Sequence, residues 1–129
     1  KYTYAQMKFI DDCLEDNIDI SSFNDPKFSK EQMEQIQLGE ADNIDISKYA
    51  DAKYDADQMC VIRLGLKNGY DIGKYNSVEF NGRQMKEIYN GLQNGIDVSE
   101  FAKPELPWYD MFKIRLDLEL AKRKSSKVA

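Results

Sequence analysis

A dipeptide that recurs at a fixed interval constrains this chain more than any other feature. Gln-Met occurs four times, always 26 residues apart, at Gln6-Met7, Gln32-Met33, Gln58-Met59 and Gln84-Met85. A fifth copy reads Asp110-Met111. A fixed period of this length is typical of a chain built from one repeated unit that stacks on its own copies. We therefore divide the chain into five units, which span residues 2–27, 28–53, 54–79, 80–105 and 106–129.

The residues that follow each Met have the spacing of an α-helix. An Ile lies three residues after the Met in every unit, at Ile10, Ile36, Ile62, Ile88 and Ile114. A Leu lies seven residues after the Met in every unit except the second, where Glu40 takes its place. Apolar residues at i, i+3 and i+7 lie on one helix face. The pattern predicts one long helix per unit, with its Met and Ile in a core that successive units share.

The predicted helices begin and end at marked positions. A capping box, in which a small polar residue precedes a Gln by three positions, starts the first four helices at Thr3, Ser29, Asp55 and Asn81. Pro107 replaces this cap in the fifth unit and still suits a helix start. Residues that tolerate a left-handed backbone end the first four helices, at Asn17, Asn43, Gly69 and Gly95.

A short segment follows each of the first four helices. It starts with an Asp and ends with an aromatic residue, and the four Asp residues are Asp19, Asp45, Asp71 and Asp97. This pattern predicts a single capped turn of α- or 3₁₀-helix that buries the aromatic ring. A small residue, Gly39, Gly65 or Gly91, with Cys13 in the first unit, lies beside the apolar stripe. We expect it to let adjacent long helices approach to the lower end of the usual ~8–10 Å separation.

These features together predict an all-α fold, namely an α-solenoid of five 26-residue units, each with one long and one short helix. In the fifth unit Asp117 replaces the helix Gly and no stop residue follows, so we expect a terminal capping helix with a more polar outer face. The first unit shows no such adaptation and opens directly at the apolar residue Tyr2. We expect the natural protein to continue upstream of this segment.

The unit from Tyr54 to Ile72 resembles a short repeat of uncharacterised proteins from Gram-positive anaerobic bacteria, which are often large and associated with mobile elements. The resemblance extends over nearly the whole chain and implies no known activity, cofactor or site residue. It implies a helical repeat in a bacterial, mobile-element context. The alternation of long and short helices is also similar in layout to leucine-rich-variant repeats.

Composition excludes several classes of function. The net charge of −5 argues against general binding to nucleic acid or anionic lipid, which both require basic surface. The chain has no His, and its two cysteines, Cys13 and Cys60, lie at different positions of separate units. We therefore predict no disulfide, no metal site, no cofactor, no small-molecule substrate and no catalytic site, in a cytoplasmic protein. No apolar run is long enough to span a membrane.

Variation between the units provides the one indication of a binding surface. The helix stripe that starts one residue after each Met changes in charge and size from unit to unit, and we expect it to lie on the open face of the array. The candidate partner-binding residues are Arg63, Lys67, Lys86, Tyr89, Gln93, Phe112 and Arg115. The alternative interpretation of this stripe is ordinary solvent-exposed surface.

Our leading functional hypothesis is a non-catalytic protein-interaction or scaffold module with an unknown protein partner. Two alternatives stay open. One is an accessory protein of a mobile element that is associated with nucleic acid or engages DNA-binding proteins through its acidic faces. The other is a structural spacer between domains.

Overall fold

The structure of the chain is a computed structural model, which describes residues 1–70, 72–75 and 77–128 and, of these, not the side chains of 74, 127 and 128. Within these residues the fold is all-α, without strands. The long helices are α1 (Tyr4–Glu15), α2 (Lys30–Ala41), α3 (Ala56–Asn68), α4 (Gly82–Gln93) and α5 (Trp108–Val128). Three 3₁₀-helices lie between them: η1 (Ile46–Lys48), η2 (Gly73–Tyr75) and η3 (Val98–Glu100).

Helices α1 to α4 begin at the predicted capping boxes. In α3, for example, the side chain of Asp55 accepts from the backbone N–H of Gln58, while the side chain of Gln58 accepts from the backbone N–H of Asp55. The other three helices show the same reciprocal pair of bonds. Each pair satisfies backbone donors that the first turn would otherwise leave without partners. Helix α5 begins directly after Pro107.

The predicted helix ends are confirmed as well. The backbone has a positive φ at all four stop residues, Asn17, Asn43, Gly69 and Gly95. The next residue then folds back, and the N–H of Ile44, for example, donates to the carbonyl of Gly39 at 2.8 Å. This bond closes the last turn of the helix and directs the chain into the short segment.

The short segments follow the prediction with one difference. An Asp caps the segment in the first, second and fourth units, where Asp19, Asp45 and Asp97 accept from the N–H two residues on. Residues 21–23 of the first unit form a turn, whereas the short segments of the second, third and fourth units form 3₁₀-helices. Asp71, the predicted cap of the third unit, lies outside the described residues. The aromatic ring at the end of the segment is fully buried at Phe23, Tyr49 and Phe101.

The long helices pack in chain order. In the described part of the chain, the main contacts between long helices are those of α1 with α2, α2 with α3, α3 with α4 and α4 with α5. Each short helix η1 and η3 packs against the long helix that precedes it. The core therefore runs along the series of helices, and the two end helices each have one long-helix neighbour.

The predicted burial of the recurring Met is confirmed in the last four long helices and wrong in the first. Met33, Met59, Met85 and Met111 are buried, with at most 1% of their surface exposed. Met7, at the same position of the first unit, is 51% exposed. Met7 lies on the one long helix of the described residues that no other long helix precedes.

The predicted role of the helix glycines is wrong. A Cβ atom on Gly91 would lie 2.8 Å from Val98 Cγ1 and 2.9 Å from Phe101 Cζ, which belong to the short segment of the same unit. Gly39 and Gly65 are related in the same way to Tyr49 and Ile72. These glycines make room for the short helix of their own unit, not for the adjacent long helix.

The close approach of two long helices occurs at a different glycine. A Cβ atom on Gly82 would lie 2.6 Å from Asp57 Cβ and 3.2 Å from the Asp57 carbonyl carbon, across the contact between α4 and α3. Gly82 occupies the first turn of α4 and not the stripe beside Met and Ile. The sequence pattern therefore located the small residues Gly39, Gly65 and Gly91 correctly but assigned them to the wrong neighbour, and it did not indicate the role of Gly82.

Candidate interaction surfaces

The buried Gln of each unit joins that unit to the next. Beyond its role in the capping box, the side-chain amide of Gln58 donates to the carbonyl of Phe80, 22 residues on, at 2.7 Å. Gln6, Gln32 and Gln84 make the equivalent bond to Phe28, Tyr54 and Leu106. This bond ties each helix to the residue just before the next capping box. The bond within the capping box was predicted from the sequence, whereas the bond from the Gln side chain to the next unit was not.

Part of the predicted binding stripe lies in contacts between helices. Tyr89 is buried, and its hydroxyl accepts from the side-chain amide of Asn68 on α3 at 2.7 Å. Arg63 donates to Gln35 Oε1 on α2 at 3.0 Å, and its side chain is largely buried. The expectation that these two positions belong to an open face is wrong, because both side chains contact the preceding helix.

Arg115 is held in the same way by two carboxylates. Its guanidinium lies 2.7 Å from Glu87 of α4 and 2.9 Å from Glu119 of α5, and only 11% of the side chain is exposed. Burial by itself would lower the pKa of Arg115, but the hydrogen bond and charge of Glu87, reinforced by Glu119, raise that pKa above its ordinary value. Arg115 therefore stays cationic and links α5 to α4.

The remaining four residues of the stripe are exposed. Lys67 lies 3.3 Å from Asp42 and Lys86 lies above the ring of Tyr89, while Gln93 and Phe112 are open to solvent. The structure thus separates the seven candidates into three that are largely buried against the preceding helix and four that are exposed, of which Lys67 also reaches the end of α2. Partner binding by the exposed residues stays a prediction.

Helix α5 carries an exposed apolar stripe that the sequence analysis did not identify. Its members lie at i, i+3, i+7 and i+11 and are Tyr109, Phe112, Leu116 and Leu120. Tyr109 and Leu120 have 55% and 56% of their surface exposed. This finding contradicts the expectation of a polar outer face on the terminal helix. The i, i+3, i+7 spacing of Tyr109, Phe112 and Leu116 was visible in the sequence, but Phe112 was assigned to the stripe that starts one residue after Met, and Tyr109 and Leu116 were not considered.

A second exposed apolar surface lies on α1, at the other end of the helix series. It consists of Tyr4, Met7 and Leu14, and Tyr4 is 77% exposed. Acidic residues lie beside it. The carboxylates of Asp11, Asp12 and Glu15 all lie within 4.8 Å of one another, and Lys8 bonds to Asp12 at 3.0 Å. Exposed acids of this kind are ordinary on a helix surface and do not define a metal site.

Cavities in the described part of the chain include two that open between units. The larger, about 470 Å³, is lined by Asn94, Glu119, Lys122, Arg123 and Ser126, and the smaller, about 290 Å³, lies between the first two units beside Ile18 and Glu40. Glu40, which replaces the usual Leu, accepts there from the hydroxyl of Ser22 at 2.6 Å. Both cavities are open grooves, and the larger is lined by polar and charged side chains, unlike the mostly apolar lining of a typical ligand site.

Burial lowers the reactivity of two side chains, Cys13 and Tyr49. Cys13 and Cys60 are free thiols, and burial raises the pKa of the Cys13 thiol, which disfavours the thiolate nucleophile. Burial also raises the pKa of Tyr49 to about 12, and its hydroxyl donates to the carbonyl of Gln35. These groups serve packing and helix contacts.

Comparison of the chain with protein-family models, with curated proteins and with solved structures finds no match. Among the described residues, none of the helices combines the length and the apolar composition that crossing a bilayer requires. The exposed surfaces of α5 and α1 are therefore the features from which a function can be inferred.

Proposed function

We propose that this chain is a non-catalytic interaction module, an α-solenoid of five 26-residue units that binds another protein. The repeated bond from each buried Gln to the next unit, and the packing of long helices in chain order, support the solenoid architecture. The observation that carries the binding role is the exposed apolar stripe of α5. Large apolar side chains clustered on a surface favour protein association.

The α5 stripe suits a helical partner. Its four side chains line one face over about three helix turns, which matches the face that an amphipathic helix presents in helix–helix contacts. Lys113 lies next to the stripe and is exposed. A partner helix with apolar residues at helical spacing and an acidic flank is therefore complementary in shape and charge. Phe112 belongs both to this stripe and to the residues that the sequence predicted for partner binding.

Affinity capture with a matched pair of variants tests this function. Leu116→Asp places a charge in the middle of the stripe, and we expect at least a roughly 10-fold loss of captured partner, because interface energy is concentrated in central apolar anchors. Val78→Asp adds the same charge at an exposed apolar residue of the loop before α4 and should leave capture unchanged. Circular dichroism confirms that both variants are folded.

The outcome also separates this function from the alternatives. If capture is equal for the wild type, Leu116→Asp and Val78→Asp, the α5 stripe is not a binding surface and the spacer hypothesis gains support. If capture falls steeply with salt and DNA competes for the captured protein, a partner that binds DNA is favoured. The cytoplasmic setting of the module stays a prediction.

A further inference from the structure

We propose that the helix that covers the α5 stripe of the 129-residue chain is α1 of a second copy of that chain, in the place that a unit upstream of residue 1 would occupy, so that copies join end to end. The inference rests on the proposed function, because it names the partner of the same surface. The joint pairs the exposed apolar stripe of α5 with the exposed apolar surface of α1, formed by Tyr4, Met7 and Leu14. It repeats the helix-to-helix contact that already joins the units within one chain.

The α5 stripe lies on the helix side that faces the following unit elsewhere in the chain. Glu87, two residues after the Met of α4, bonds to α5, and Arg83, two residues before that Met, lies 5.2 Å from the ring of Trp108. The corresponding positions of α5 are Lys113 and Tyr109, and both are exposed. Helix α5 therefore presents to solvent the side that α4 uses to contact its successor.

Helix α1 presents the opposite side. The fourth residue after the Met contacts the preceding helix at Arg63 and Arg115, and its counterpart in α1 is the exposed Asp11. Met7 itself is half exposed, whereas its counterparts in the later units are buried. The two uncovered sides are thus the two halves of one recurring contact.

The charges of the two sides are complementary in the same register. Within the chain, the second residue after one Met pairs with the fourth residue after the next, as Glu87 does with Arg115 at 2.7 Å. Across the proposed joint these positions hold Lys113 of one copy and Asp11 of the next. The signs are reversed but still opposite, and neither residue forms a salt bridge within the described part of the chain.

The joint lacks one element of the contacts within the chain. Asp110 stands where the other units have the buried Gln, and a carboxylate cannot donate a hydrogen bond to the carbonyls of a following unit. The association between copies is therefore weaker than the contact between units and is reversible. Because the two surfaces differ, the contact is head to tail, and a dimer still has one uncovered surface of each kind that can bind a further copy.

Sedimentation velocity over a range of concentrations tests the joint. We expect the mean mass of the wild type to rise with concentration beyond that of a dimer. Met7→Asp and Leu116→Asp each remove one half of the joint, and each variant alone should stay monomeric. An equimolar mixture should form a dimer that does not grow, because the intact α5 of the first variant pairs with the intact α1 of the second.

A charge exchange tests the register of the joint. Lys113→Asp alone and Asp11→Lys alone should each raise the dissociation constant by about 10-fold, since each opposes like charges. The double variant Lys113→Asp/Asp11→Lys should recover most of the wild-type association. Val78→Asp, outside both surfaces, should associate as the wild type does.

Several results would overturn the inference. They are a wild type that stays monomeric at several hundred micromolar, a mixture that contains no dimer, or self-association that Leu116→Asp leaves intact. Failure here is distinguishable from failure of the proposed function. If the chain is monomeric and Leu116→Asp still abolishes capture of a different protein, self-assembly is wrong and the binding function stands. If neither capture nor association responds to Leu116→Asp, both are wrong.

Discussion

Each helix glycine of this chain serves one packing contact. Gly91 lies opposite Val98 and Phe101 of the short segment in its own unit, and its missing side chain is what allows Phe101 to be fully buried. The equivalent position in the first unit is Cys13, which is also buried. The segment that packs there differs too, since residues 21–23 form a turn instead of a 3₁₀-helix. The first unit thus has both a larger residue at this position and a different short segment than the fourth unit.

Gly91→Ala should lower the free energy of unfolding by about 1–3 kcal/mol, because overpacking a filled core forces its neighbours out of position. An Ala favours helix intrinsically by up to ~1 kcal/mol, which opposes this loss but does not cancel it. Urea denaturation measures the change. Gln93→Ala, at an exposed site on the same helix, is the control and should change stability little. A Gly91→Ala variant as stable as wild type would show that the short segment can move away.

The glycines also show how far the sequence predicts packing at single residues. The 26-residue period indicates that a small residue is required at Gly39, Gly65 and Gly91. It does not indicate which neighbour requires it, because both the short segment of the same unit and the adjacent long helix recur with that period. The choice depends on the rotation of the helix about its axis, which only the three-dimensional packing determines.

At the scale of the helices, one side chain specifies both a helix start and the attachment of the next unit. Gln58 accepts from the backbone N–H of Asp55 through its oxygen and donates to the carbonyl of Phe80 through its nitrogen. The residue is buried, so both ends of the amide exchange water for protein partners. Unsatisfied groups would be costly there, and the amide therefore fixes the position of α4 relative to α3.

Gln58→Glu tests this attachment with almost no change of shape. The carboxylate can still accept from Asp55 but cannot donate to Phe80, and its charge faces a carbonyl oxygen. We expect a loss of about 1–3 kcal/mol at pH 7, which becomes smaller in acid as the introduced carboxyl is protonated and can donate again. Urea denaturation of both proteins at several pH values measures the difference. Gln93→Glu is the exposed control, and equal losses for the two variants would contradict the assignment.

Helix starts were predictable and the binding surface was not, for a physical reason. A capping box involves four consecutive residues, so Thr3 and Gln6 reveal it without knowledge of the fold. The openness of a helix face depends on which neighbours cover it. Arg63 and Tyr89 vary between units as surface residues do, yet they contact the preceding helix. Variable residues can lie within a contact if their partners vary with them.

At the scale of the whole molecule, stability depends on neighbours along the series. The main contacts between long helices in the described residues join consecutive helices, so an end helix has one such partner and an internal helix has two. Helix α1 has only two buried residues, Gln6 and Cys13, whereas α3 has five. In the proposed solenoid, stability is approximately the sum of unit terms and nearest-neighbour terms.

Hydrogen exchange should therefore reveal a gradient along the chain. At low protein concentration, we expect the amides of α1 to exchange at least about 10-fold faster than those of α3, a difference of about 1.4 kcal/mol in opening free energy. Mass spectrometry of peptides from both helices measures the rates. Protection of α1 should rise with concentration in the wild type and not in Met7→Asp, because a second copy covers α1 only when Met7 is intact. Equal rates in α1 and α3 would instead show that the chain unfolds as one cooperative body, in which the helix with one neighbour is as stable as the helix with two.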